Sequence, residues 1–244
     1  VALIELEGIT KKYNNTIVLD KISLSIEKGE FVAILGPSGC GKSTLLRIIA
    51  GLERPDRGVV RFKGVPVSSP RTEIAIMFQF PALLPWKTAL DNVALPLVAR
   101  GVKWSQAREI AARYLALAGL SGFEEAYPRQ LSGGMQYRVA LARALAVEPE
   151  VLLLDEPFSM LDSLTAESLR SEVLRMWHEN LSTVHTAIIV THNVEEAVYM
   201  ASRIVMLSPR PARIVANMRI DLPYPRNRRS QEFQHYVDLV YSYI

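Results

Sequence analysis

Short apolar runs alternate along most of this chain with stretches in which apolar residues return every three or four positions. The runs, bounded by turn residues, predict strands at 3–6, 31–35, 59–62, 74–78, 151–154, 187–190 and 204–207. Two of these, Val151-Leu152-Leu153-Leu154 and Ile188-Ile189-Val190, are apolar throughout, the pattern of strands buried on both faces of a parallel sheet covered by helices. The early runs differ. Glu5 and Glu7, and Arg61 and Lys63, alternate with apolar neighbours, as antiparallel strands with one wet face do. Between about Pro81 and Glu148 the strand signals vanish. There Ala107, Ile110, Ala111, Tyr114, Leu115 and Ala118 recur at helical spacing until Gly119 stops the run, which predicts a helical insertion. From Ser230 onward, Phe233, Tyr236, Val237, Val240, Tyr241 and Ile244 fall on one helical face, read as packing on the domain itself, with a partner as the alternative.

Composition narrows the class. With 244 residues, 49% of them hydrophobic, the chain can bury a substantial core. No run approaches the roughly 18 apolar residues that span a bilayer, and Val1 leads to Glu5 and Glu7 rather than a basic-then-apolar leader, so a membrane role is expected to be peripheral or through a partner. The single cysteine, Cys40, cannot form an internal disulfide, which fits a reducing compartment without demanding one. A net charge of +3 and a pI near 9.0 are too slight to mark a nucleic-acid binder. Arg203, Arg210, Arg213, Arg219, Arg226, Arg228 and Arg229 do crowd the last fifth, as a solvated face or as a surface for anionic lipid or a partner.

The chemistry begins at Gly36-Pro37-Ser38-Gly39-Cys40-Gly41-Lys42-Ser43-Thr44, which satisfies G-x-x-x-x-G-K-[ST] between an expected strand and an expected helix from Thr44 to Ala50. Glycines let the backbone curl so that successive N–H groups face phosphates at a positive helix terminus; Lys42 can reach the β- and γ-phosphates and the Ser43 hydroxyl can ligate Mg²⁺. Cys40 is then a loop residue, not a nucleophile. Downstream, the apolar strand at 151–154 ends in Asp155 and Glu156. Such a pair can be a helix cap, but after a phosphate loop it suits nucleotide hydrolysis: Asp155 holding Mg²⁺ directly or through water, Glu156 polarising the attacking water.

With Leu131-Ser132-Gly133-Gly134-Met135 lying between these two motifs, the chain resembles the nucleotide-binding subunit of ATP-binding cassette (ABC) transporters over nearly its whole length. In that resemblance Leu131 to Met135 is the family signature, Gln79 the glutamine loop, Ser159-Met160-Leu161-Asp162 the aspartate loop, His192 the switch histidine and Tyr13 the ring stacked on adenine. It implies an α/β fold: a phosphate-loop NTPase core with a mixed sheet, an N-terminal antiparallel β subdomain and an inserted α-helical subdomain. The expected division is 1–80 with 149–220 for the core and β subdomain, 81–148 for the helical subdomain carrying the signature, and 221–244 for a tail helix.

The resemblance also implies a mechanism. Two cassettes, expected to be a homodimer, sandwich two ATP molecules, so that Ser132, Gly133 and Gly134 of one chain grip the γ-phosphate held by the phosphate loop, 36–44, of the other. Gln79 touches Mg²⁺ and the water, His192 holds the γ-phosphate, and Asp162 passes contacts between sites. Met135, Tyr137 and Met160 depart from the family pattern, and none of them removes a phosphate ligand.

Segments Phe80 to Trp86, Leu90 to Val93 and Leu207 to Ile214 are similar to those of nitrate, sulfonate and taurine importers, which implies separate permease subunits, a solute-binding protein, and a place at the cytoplasmic face of the inner membrane. The chain ends soon after its core, leaving little room for a further regulatory domain. A DNA-repair or ribosome-associated ABC ATPase is the rival reading. It would require a long coiled coil or a second cassette, and neither heptads nor duplication is present. A module that binds ATP without hydrolysis is a second rival, opposed by Glu156 and His192.

Overall fold

The computed structural model describes residues 2–179 and 183–243; Val1 and Ile244, the latter placed above on the tail's apolar face, lie outside the described residues. In chain order the elements are β1 (Ile4–Tyr13), β2 (Thr16–Ile26), β3 (Phe31–Leu35), α1 (Lys42–Ile49), β4 (Arg57–Phe62), β5 (Val65–Pro66), β6 (Ile74–Met77), α2 (Ala89–Ala99), α3 (Trp104–Leu117), α4 (Gly133–Ala146), β7 (Val151–Asp155), α5 (Ser163–His178), β8 (Thr186–Thr191), α6 (Val194–Met200), β9 (Arg203–Leu207), β10 (Ile214–Arg219) and α7 (Gln231–Tyr241). They form two compact units, Val1–Arg71 with Thr186–Ile244, and Thr72–His185. This packing division differs from the functional one expected above, because β6 and β7 go with the helices they pack against.

The first unit holds two sheets. In one, β2, β1, β4 and β5 are antiparallel in that order, and β1 alternates as its charges require: Ile4 and Leu6 are buried, Glu7 exposed. In the other, β9, β3 and β8 run parallel with β10 antiparallel at the edge. Every residue of β3 and β8 is buried, which accounts for the apolar sequence of β3 and of 187–190 between the two threonines of β8. The tail helix α7 begins at Ser230, whose hydroxyl accepts from the Phe233 N–H, and packs Phe233, Val237 and Val240 against the unit at α6. Tyr241 departs from the expected face and is exposed.

In the second unit β6 and β7 pair in parallel, and α2, α3 and α4 enclose a core of Val93, Leu97, Ala107, Ala111, Leu115 and Val139. Small residues dominate its helix contacts. Ala107 and Ala111 are wholly buried one turn apart on α3, the stripe that the sequence periodicity marks. Gly119 follows the helix with φ +69°, a left-handed stop. The buried Asn92 side chain bonds the backbone of Leu84, Lys87 and Thr88, fastening the loop before α2 to its first turn. Among the described residues no helix is long and apolar enough to cross a membrane.

Candidate functional site

Strand register places the candidate residues. In the first unit Leu35 pairs with Thr191, so the phosphate loop leaving β3 and His192 leaving β8 emerge side by side. Leu35 also aligns with Met206, which brings the chain leaving β9 to the loop's other side. In the second unit Met77 pairs with Leu154, which sets Gln79 beside Asp155 and Glu156. Each unit thus gathers its own group at the carboxyl ends of parallel strands, where α/β sheets bind ligands.

The loop from Gly36 to Thr44 turns out of β3 into α1. Its Gly41 has φ 120°, and a Cβ there would come within 2.7 Å of Val18 Cγ1, so only glycine fits against β2. Lys42 is 3% exposed, and its Nζ donates to the Gly36 and Pro37 carbonyls at 2.9 and 3.0 Å, folding the amine across the loop mouth. Pro37, Ser38 and Gly39 are exposed, whereas Ser43 and Thr44 are partly covered on the first turn of α1. α2, α4, α5, α6 and α7 each begin with a side-chain cap, from Thr88, Ser132, Asp162, Asn193 and Ser230; α1, like α3, begins without one and with no acid in its first turn, but α1 begins at a glycine. A helix start of that kind, with a positive dipole end and a lysine folded over it, suits phosphate. Cys40 is buried behind the loop, and burial pushes its thiol up from the ordinary value, consistent with a packing role.

Beside the same loop, with its hydroxyl near Thr44, Tyr13 is 43% exposed at the end of β1. Its hydroxyl donates to Glu53 Oε1, and Lys11 Nζ, 3.3 Å from the same carboxylate, sits 5.4 Å from the ring centroid. Burial and the Glu53 bond hold the phenol above its ordinary pKa. The hydroxyl fixes the ring by its edge, and the Lys11 amine lies over its face. His192 is exposed, one residue beyond β8, and the Thr191 hydroxyl accepts the Asn193 N–H at 3.0 Å to shape that turn.

In the second unit Asp155 ends β7 at 3% exposure, and Glu156 follows with φ 44°, a left-handed conformation that turns its side chain away from the strand direction. Ser159 Oγ donates to the Glu156 carbonyl at 2.9 Å, and Gln79 Nε2 donates to Ser159 Oγ at 3.3 Å. Gln79, Glu156 and Ser159 are therefore one hydrogen-bonded chain. Tyr137, which the sequence marks only as a departure from the family, lies on α4 at 3% exposure and donates its hydroxyl to the Gln79 carbonyl. Burial raises its phenol pKa, keeping it a donor. Arg143, one further turn and a half along α4, donates to the Pro81 and Ala82 carbonyls at 2.6 and 2.8 Å. Neither contact has a signal in the sequence, since both bond backbone atoms far along the chain.

Ser132 caps α4, its hydroxyl accepting the Met135 N–H at 3.3 Å, with Ser132 and Gly133 exposed. A Cβ at Gly134 would run into Thr165 Cγ2 on α5, so this glycine is required by close packing as well as by any ligand. Asp162 caps α5 through the Leu164 and Thr165 N–H groups at 3.1 and 3.0 Å, and bonds from Thr165 hold its carboxyl below the ordinary range. Its exposed neighbours Met160 and Leu164 are 55% and 85% accessible.

Several of the arginines crowded near the carboxyl terminus are tied down by ion pairs and backbone bonds. Arg203 pairs with Glu30 at 3.2 Å, Arg213 with Asp20 at 2.5 Å, and Arg210 donates to the Gly39 carbonyl. Arg226 is 7% exposed and bonds the carbonyls of Val198 and Ala201 at 2.5 and 2.6 Å, with Leu222 and Ile220 completing its set. Arg203 and Arg226 are internal ties, while Arg210 and Arg213 stay exposed as they bond, Arg213 with 67% of its side chain accessible.

The family model described as ABC transporter matches residues 19–159. An uncharacterised ABC transporter ATP-binding protein of Methanocaldococcus jannaschii is 46% identical over 96% of this chain and 88% of its own. A taurine import ATP-binding protein of Chromobacterium violaceum is 48% identical over 87% of this chain and 79% of its own, and a bicarbonate transport ATP-binding protein of Synechococcus elongatus 42% over 96% and 86%. Among solved structures, a dimeric ATP-binding cassette in a post-hydrolysis state with ADP and phosphate superposes with a TM-score of 0.78 at 33% identity, covering 90% of this chain and all of that one. With a family match over more than half its length, a phosphate loop, and relatives of this identity along nearly all of it, the chain belongs to the ABC transporter family as an ATP-binding and ATP-hydrolysing subunit.

Proposed function

We propose that this chain powers an importer for a small solute of the nitrate, sulfonate, taurine or bicarbonate kind, working through separate permease subunits with a solute-binding protein outside. The observation that carries the ATP site is the start of α1: a glycine in place of a capping side chain, no acid in the first turn, and Lys42 folded across the mouth. The names of the relatives support import over DNA repair or ribosome work, and no structural feature favours those rivals. The cytoplasmic face of the inner membrane is the matching location.

On this reading the N–H groups of Gly39 to Thr44 and the Lys42 amine take the phosphates, and Tyr13 stacks on adenine. Ser43, Gln79 and Asp155 would hold Mg²⁺, an oxygen donor set that a hard cation prefers, and the ion would supply neutralising charge to the phosphates. Glu156 accepts the proton of the attacking water, Gln79 orients that water, and His192 bonds the γ-phosphate. Ser132, Gly133 and Gly134 reach the γ-phosphate of a second copy, and Asp162 links the two sites across the seam. The functional division is then 1–80 with 149–220 as the ATPase core, 81–148 as the helical part and 221–244 as the tail.

A substitution at the signature tests the shared site. Ser132→Arg should abolish hydrolysis while the isolated chain still binds ATP as the wild type does, measured by equilibrium titration. Equal loss of binding and hydrolysis would show that Ser132 serves its own chain's nucleotide instead.

A further inference from the structure

Segment 208–213 enters none of the steps above, yet it is tied to the phosphate loop. It leaves β9 beside that loop, because Leu35 and Met206 are in register. The segment is fastened at several points. The Ser208 N–H donates to the Arg213 carbonyl at 2.9 Å, and the Arg213 N–H to Ser208 Oγ at 3.0 Å. Ala212, wholly buried, exchanges backbone bonds with β2 through Val18 and Asp20 at 2.9 and 3.0 Å, and Arg213 grips the Asp20 carboxylate at 2.5 and 2.9 Å. The same stretch of β2, Val18 and Leu19, lies under Gly41. From this anchored segment Arg210 reaches the loop: its Nε donates to the Gly39 carbonyl, and its second terminal nitrogen lies 3.2 Å from where a Gly39 Cβ would be.

We infer that Arg210 is a positioning residue for the phosphate loop, holding the Gly39–Cys40 peptide in the orientation that receives ATP. The inference rests on reading residues 36–44 as the ATP phosphate site. A peptide unit is planar, so fixing the Gly39 carbonyl also fixes the Cys40 N–H on its far side, which donates to the Pro37 carbonyl at 3.2 Å and so closes the loop's own turn. Gly39, at φ +72° and without a Cβ, is a soft joint of the loop, and a guanidinium anchored on a rigid strap stiffens it. A cleft of about 120 Å³ lined by Gly36, Pro37, Ser208, Pro209 and Tyr243 leaves the loop room to relax once the tie is cut. The guanidinium adds positive potential where phosphates bind, and its charge reaches Cys40, whose thiol it draws downward against the effect of burial.

Cys40, the chain's single cysteine, reports on the loop directly. The test compares wild type, Arg210→Ala, Arg210→Lys and, as a control, Arg219→Ala at the exposed end of β10. Three quantities are read: the rate of Cys40 alkylation by N-ethylmaleimide without nucleotide, the dissociation constant for ATP in a Glu156→Gln background, and kcat with Glu156 intact. Arg210→Ala should be alkylated about tenfold faster, the gain in access outweighing the smaller thiolate fraction left by the lost charge, and bind ATP about tenfold more weakly, the scale of one charge-assisted hydrogen bond. Its kcat at saturating ATP should stay within about twofold of wild type, the signature of lost binding rather than lost chemistry. Arg210→Lys should recover part of both losses, and Arg219→Ala should match wild type. Unchanged alkylation or unchanged ATP affinity in Arg210→Ala overturns the inference, as does an equal change in Arg219→Ala. If wild type itself binds no ATP, the ATP reading fails, while the alkylation rates still decide whether Arg210 holds the loop. Arg210 is exposed, so folding is not at stake; a Lys or Gln replacement carries the same comparison should the alanine variant misfold.

Discussion

Glu156 is held at φ 44°, a conformation that costs a non-glycine residue roughly 1–3 kcal/mol and persists only where its surroundings impose it. Ser159 imposes it, donating both its hydroxyl and its N–H to the Glu156 carbonyl at 2.9 and 3.3 Å. Glu156→Gln keeps that backbone and removes only the proton acceptor, so turnover should fall by about a hundredfold or more while ATP binding survives. Lys42→Ala should do the opposite, raising the dissociation constant about tenfold by removing a charged phosphate donor. Phosphate release and ATP titration measure the two, and unchanged turnover in Glu156→Gln would reassign the base. These residues are legible in the sequence because each sits in a motif with a fixed spacing. Tyr137 and Arg143 are not, because they bond carbonyls about sixty residues away, and a carbonyl carries no side-chain label.

At the scale of elements, the strands whose ends the sequence marks best are the fully buried ones. β3, β7 and β8 match their apolar runs to within a residue or two at either end. β2 and β10 are absent from the sequence reading, for a physical reason. Asp20 and Lys21 interrupt β2 midway, where Lys21 takes φ 53° and breaks the alternation, and β10 is an edge strand with alternate residues exposed. The join between α6 and the segment leading to α7 was equally hidden, since it depends on one arginine. Arg226 lies at the carboxyl end of α6, where Val198 and Ala201 offer orphan carbonyls to a cation. Arg226→Ala would leave those carbonyls buried without their donor, at a cost of about 3 kcal/mol. For a chain of this length that is a fall in melting temperature of about 6–12 °C, read by calorimetry. A shift below about 2 °C would mean that water replaces the guanidinium.

For the whole molecule, the proposed pairing of two copies makes a prediction that no single chain can. At ATP well below the raised dissociation constant of Lys42→Ala, Ser132→Arg and Lys42→Ala should each be inactive alone, the first lacking a working signature and the second an occupied phosphate loop. Mixed in equal amounts, they should regain about a quarter of wild-type hydrolysis, because half the dimers are hybrid and each hybrid rebuilds one of its two sites. A mixture as inactive as its components would show that one rebuilt site is not enough or that no site is shared. The tied arginines have a consequence on this scale too. The surplus of positive charge is slight, and not all of it is open to a polyanion. Arg203 is paired with Glu30 and Arg226 is buried among backbone carbonyls, so neither offers its fork to heparin or nucleic acid, whereas Arg210 and Arg213 keep exposed guanidinium groups beside their partners.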